Sequence, residues 1–169
     1  MQTQTTRILG IDPGLNTTGY GVIDTDGFKF ELVEAGIVRS VAKNTIQARV
    51  NEIYSGVSEI IEDHQPDLLS LEQLFSHYER PKTAILMGHA RGVICLAAAQ
   101  NALTVVHHEP TRIKKVLTGN GRAPKHQMQM AVKMQLGLDS VPEPADVADA
   151  LAIAICGYTL SHDLEKANR

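Results

Sequence analysis

The spacing of apolar residues first changes from strand-like to helical near residue 45. Before it, "RILGIDPG" is a short apolar run closed by a turn signal, a strand with Asp12 at its C-terminal end. "TGYGVIDTDG" alternates and closes on Asp-Gly, a hairpin signature, and "FKFELVEAGIVRS" follows as a third strand. After it, Ile46, Val50, Ile53, Val57 and Ile60 recur at steps of four and three until Gln65-Pro66, which marks a helix. Strand and helix then alternate. "DLLSLEQLF" is a buried strand ending near Glu72, and "PKTAILMGHARGVICLAAAQNA" is a helix with Pro81 in its first turn. "LTVVHHE" is a strand, and "PTRIKKVLTG" a short helix with Gly119 as its C-cap. "PKHQMQMAVKMQLGL" and "PADVADALAIAICGYTL" are the last two helices. The order βββαβαβααα predicts an α/β fold: a mixed five-stranded sheet, three antiparallel strands then parallel ones, flanked by helices. A right-handed crossover makes the first and fourth strands parallel, so Asp12 and Glu72 share one edge of the sheet.

A chain of 169 residues with few breaks in this pattern is read as one domain over residues 7–160, with flexible termini at 1–6 and 161–169. Cys95 and Cys156 sit in apolar, alanine-rich surroundings, as packed thiols do. No apolar leader or membrane-length run is present, so a cytoplasmic protein without a membrane role is expected. The net charge of −3 hides a strong polarity. Between Ser76 and Lys133 nine Lys/Arg face only Glu79 and Glu109, a balance of +7, while the rest carries seven basic against seventeen acidic residues, or −10. Such a pattern suits either an anionic partner or a solvated helical face.

Two more acids, Asp146 and Asp149, lie three residues apart in the first turn of the apolar last helix, and so on nearly one face. If that turn meets the sheet edge, four carboxylates converge, a cluster that repels itself unless cations neutralise it. Oxygen ligands without Cys or His favour Mg²⁺ or Mn²⁺ over Zn²⁺. Two such ions, roughly 4 Å apart, would activate water and stabilise the leaving oxygen in phosphodiester cleavage. Each acid has a simpler explanation by itself. Asp146 can complement the helix dipole, Asp12 can open a turn, and Glu72 can be one exposed position of an edge strand. Four such coincidences together are not credible. His107-His108 also invites a metal, but neighbours on a strand point to opposite faces.

The segments "ILGIDPGLNTTGYGVI", "LSLEQLF", "GHARGV" and "PADVADALAIAI" resemble, in order, the motifs of the RuvC-type Holliday junction resolvases of the RNase H-like superfamily. The resemblance runs from about Arg7 to about Leu160. It implies an RNase H-like fold and a homodimer that nicks four-way junction DNA symmetrically, leaving 5′-phosphate and 3′-hydroxyl ends in recombination and repair. It also implies metal-binding, catalytic roles for Asp12, Glu72, Asp146 and Asp149, with two Mg²⁺ ions per site and Mn²⁺ as a substitute. Phe75 matches the aromatic expected to act on bases, and Lys114 and Lys125 match basic positions. Taken alone, Phe75 reads as a core aromatic and the lysines as solvated surface. Arg91 and Arg122 are further candidates for DNA contact, and Arg91 equally suits an ion pair. Branch-migration motor proteins are the implied partners. "SHYERPKTA" lacks the Lys-Asn pair frequent in the family, and His89 stands where Gln is usual, on the helix expected to form the dimer interface. Two other functions stay open at this point: a related nuclease that matures RNA, and a catalytically silent junction-binding module.

Overall fold

The structure, a computed structural model, describes residues 5–74 and 81–167, with side chains of the last helix described through His162. The elements follow the expected order: β1 Thr6–Asp12, β2 Thr17–Thr25, β3 Phe30–Arg39, α1 Ile46–His64, β4 Leu68–Glu72, α2 Pro81–Gln100, β5 Thr104–His108, α3 Pro110–Thr118, α4 Lys125–Gln135 and α5 Ala145–Ala167. The sheet order is β3-β2-β1-β4-β5. The first three strands form the antiparallel meander, and β4 joins β1, and β5 joins β4, in parallel.

Local chemistry accounts for the boundaries. The Thr45 side chain accepts from the Ala48 N–H to start α1, and Gln65 stops it in the left-handed region at φ 48°. Gly119 ends α3 in the same region at φ 75°. Of the apolar α1 series, Ile53, Val57 and Ile60 are buried, while Ile46 lies in the first turn, outside the core. The last helix does not stop near Leu160. It continues to Ala167, and the Tyr158 ring stacks on His162 while meeting the Phe30 ring edge-on. The expected flexible tail therefore begins inside a helix, because ring contacts with β3 anchor that turn.

The period of two along each strand sorts the core into two layers. Leu9, Ile11, Val22, Leu69 and Leu71 face α1 and α2, where they interdigitate with Ile53, Val57 and Ile94. The opposite face carries Ile8 and Ile23 against α5, with α3 and α4 outside it. That face has little side-chain bulk at its centre. A Cβ on Gly10 would lie 2.2 Å from the Ala150 carbonyl and 2.5 Å from the Ala154 nitrogen. The helix is thus pressed backbone-to-backbone onto the sheet. Ser70, level with Gly10 in the neighbouring strand, donates to the Ile153 carbonyl at 2.7 Å and pins the next turn. Among the described residues no helix is long and apolar enough to cross a membrane.

Candidate active site

Strand alternation places Asp12 and Glu72 on the α5 face, each as the last residue of its strand. Asp12 pairs across the ladder with Gly19. A Cβ at Gly19 would stand 2.1 Å from the Asp146 carbonyl, so the missing side chain is what admits the first turn of α5 beside Asp12. Asp146 and Asp149 then project from that turn toward the ends of β1 and β4. All four acids share one edge of the sheet, as expected.

Their electrostatics show the crowding. Burial, reinforced by Glu72, Asp149 and Asp146, pushes the Asp12 carboxyl up to about 8. Glu72 is raised by burial and by Asp149, against the pull of Lys114. Burial also raises Asp149, against the attraction of Lys125. The Lys125 ammonium stands 3.6 Å from Asp149 Oδ2, joining an exposed lysine to a half-buried carboxylate, and such a solvent-accessible pair contributes little to stability.

Lys114 comes from α3 and Lys125 opens α4, and both line a cleft of about 300 Å³ with Glu72 and Asp149 over an apolar floor that includes Ile113 and Met128. Two cations from separate helices thus face the acids. Among the described residues no three Asp, Glu, His or Cys groups are placed together closely enough to hold a metal ion between them. The donor set still fits a hard divalent cation. It consists of oxygens only, its members repel one another, and Mg²⁺ characteristically keeps water and takes one or two carboxylates plus substrate phosphate.

The other candidates part ways. Arg122 is exposed in the turn before α4, its N–H bonded to Asn120 Oδ1 at 2.9 Å. Arg91 lies across the sheet from the carboxylates, its Nε donating to the Glu72 carbonyl at 3.0 Å. His107 turns toward α2, where its Nδ1 accepts from Arg91. His108 turns to the α5 side and is buried, its Nε2 without a hydrogen-bond partner among the described residues. The two imidazoles do diverge. Phe75 and most of the atypical loop fall outside the described residues.

Sequence reasoning missed Gly10 and Gly19 as the residues that set the acids' spacing. The signal was present in "ILGID" and "TGYG": glycines within strands mark sites of close backbone approach.

A mixed sheet of this order, with carboxylates ending adjacent strands and opening the crossing helix, defines an enzyme of the RNase H-like nuclease class. The family model described as "Crossover junction endodeoxyribonuclease RuvC" matches residues 8–157. The chain belongs to that family. A protein of that name from Rhodopirellula baltica is 64% identical over 156 residues, spanning 92% of this chain and 88% of the relative. One from Chloroflexus aggregans is 46% identical over 154 residues, 90% of this chain and 93% of the relative. The structure of Thermus thermophilus RuvC in complex with Holliday junction substrate superposes with a TM-score of 0.87 at 30% identity, covering 93% of this chain and 96% of that one.

Proposed function

We propose that this chain resolves four-way DNA junctions, as a homodimer, by divalent-metal-dependent hydrolysis at the four-acid site. The observation that carries this is the convergence of Asp12, Glu72, Asp146 and Asp149 on one sheet edge beside Lys114 and Lys125, in a member of a junction endonuclease family. The four carboxylates would hold two Mg²⁺ ions, with Mn²⁺ as a substitute. When bound, these ions supply Lewis acidity to the attacking water and to the departing oxygen.

The chain's own residues do the rest. Lys114 and Lys125 draw the phosphate backbone into the cleft and stabilise charge building on the scissile phosphate. A carboxylate oxygen of Asp146 or Asp149 accepts a hydrogen bond from the incoming water and aligns it. Water oxygen bonds to phosphorus and gives its proton to that carboxylate as the bond to the 3′ oxygen breaks, and the departing 3′ oxygen takes a proton from solvent, which leaves 5′-phosphate and 3′-hydroxyl ends.

Pairing of two copies is supported by α2. Ile85 is 60% exposed, Leu86 42% and Leu96 49%, and among the described residues no atom lies within 4 Å of a Cβ built at Gly88 or Gly92. That is an apolar stripe with room for close approach by a second helix. Two sites fixed in one dimer explain paired cuts.

The test offers the protein with Mg²⁺ a synthetic four-way junction, a linear duplex and a structured RNA. Cleavage of the junction alone is expected. Equal cutting of junction and duplex, or cutting of RNA only, overturns the reading. Asp149→Asn should abolish cleavage yet leave junction binding in EDTA intact, since phosphate contacts stay in place.

A further inference from the structure

Arg91 was a candidate for DNA contact, but its guanidinium is engaged elsewhere. Nε donates to the Glu72 carbonyl at 3.0 Å and Nη2 donates to His107 Nδ1 at 2.5 Å. The place of that carbonyl gives the contact its importance. The β1–β4 ladder ends at Ile11 opposite Leu71, one residue before Glu72, whereas the β4–β5 ladder runs on to Glu72 opposite His108. On the β5 side the Gln73 N–H donates to the His108 carbonyl at 2.8 Å. Beyond the end of the β1–β4 ladder, it is Arg91, reaching from α2, that engages the Glu72 peptide.

The chemistry suits a clamp. Arg presents its donors in a rigid planar fork, and a charged donor to a carbonyl makes a stronger hydrogen bond than a neutral one. Burial and the neighbouring Arg91 charge both hold His107 below its ordinary pKa, which keeps Nδ1 free to accept. His107 therefore fixes the guanidinium, and the guanidinium fixes the strand end. Glu72 is the last residue of β4, and a site carboxylate has to be held within about 0.5 Å of its working position.

We propose that Arg91, oriented by His107, is a positioning residue that sets the Glu72 carboxylate relative to Asp12 and Asp149 by clamping the Glu72 carbonyl from the opposite face of the sheet. The proposal rests on the reading of the four acids as a divalent-cation site.

The test uses the full chain and the variants Arg91→Ala, Arg91→Lys and His107→Ala. Mn²⁺ binding to the DNA-free protein is followed by electron paramagnetic resonance. The Mg²⁺ dependence of junction cleavage and the salt dependence of junction binding in EDTA are measured beside it. Arg91→Ala should weaken Mn²⁺ binding and raise the Mg²⁺ needed for half-maximal cleavage, each by roughly tenfold, the usual cost of losing a group that orients a metal ligand. Junction affinity in EDTA should not change. Arg91→Lys keeps one donor and should recover part of the loss. His107→Ala should shift both metal readouts in the same direction by less, and it carries the test if Arg91→Ala fails to fold.

Unchanged Mn²⁺ binding and Mg²⁺ dependence in the folded variants overturn the proposal. So does a drop in junction affinity with a salt slope reduced by about one, which marks a phosphate contact instead. Failure of the underlying site reading looks different: wild-type protein would then bind Mn²⁺ no better than Asp12→Asn.

Discussion

The two faces of the sheet are held by opposite means. On one, Leu9, Ile11, Leu69 and Leu71 interlock with aliphatic side chains of α1 and α2. On the other, α5 lies against Gly10 and Gly19 with almost nothing between the backbones, and the Leu151 side chain fills the space over Gly21. The first face is built of volume and is weakened by deletion. The second is built of closeness and is weakened by addition. Only the second gives the first turn of a helix access to the ends of two strands, and the acids are there.

The largest effect should come from the acids. Asp12→Asn should lower junction cleavage by roughly 10³-fold or more, since a site reliant on metal loses several kcal/mol of charge stabilisation. Junction binding in EDTA should persist. Cleavage near wild-type rates would end the comparison, because the close-packed face would then serve no site.

Packing comes next. Gly10→Ala inserts one methyl where only 2.2 Å is free and should destabilise by about 3 kcal/mol in denaturant melts. Ile53→Val removes one methylene from the interlocked face and should cost about 1 kcal/mol. Gly10→Ala should also slow cleavage by tilting α5, whereas Ile53→Val should not. The reverse ranking would show that the faces do not differ as described.

A smaller effect concerns pH and metal. The folded Asp12 carboxyl titrates at about 8, above its ordinary value of 3.8. Between those values the folded chain holds a proton that the unfolded chain has released, so metal-free stability should fall as pH rises through that window. Below it both states are protonated and the contribution is complete. At pH 8 in EDTA, Asp12→Asn should melt roughly 2–6 °C above wild type, while Mg²⁺ should raise the wild-type Tm and not that of the variant. An Asp12→Asn chain that melts lower in EDTA would refute the crowding of the acids.

The mildest change to the monomer, with the sharpest change in assembly, is expected from Leu86→Glu on α2. Its fold should remain intact by circular dichroism, because the side chain is 42% exposed. If two copies pair through α2 as proposed, sedimentation of this variant should show monomers where wild type shows dimers, and paired cutting of a junction should give way to single nicks.

Much of this was legible from sequence for a physical reason. The apolar run and turn signal of "RILGIDPG" and the period 3.6 in "IQARVNEIYSGVSEII" belong to neighbouring residues, so element type and order could be read locally. The turn signals put Asp12 and Glu72 at strand ends, and the crossover rule put those ends at one edge. Other features are not local. "SHDLEKANR" looks like a polar tail, yet α5 extends through most of it, and rings far apart in sequence meet at Tyr158 just before it. Arg91 reads as one more basic residue of a basic segment. Only the layering of α2 under β4 and β5 sends its guanidinium to the Glu72 carbonyl.

By itself, the sequence determined the βββαβαβααα order, the four acids, and their places at two strand ends and one helix start. Tertiary structure alone decided how near those acids come to one another, which cations face them, and which arginine turns away. Periodicity and turn chemistry act over a few residues and are written contiguously. Distances between elements are set by what is absent at Gly10 and Gly19 as much as by what is present, and a missing side chain has meaning only against the backbone that fills its place.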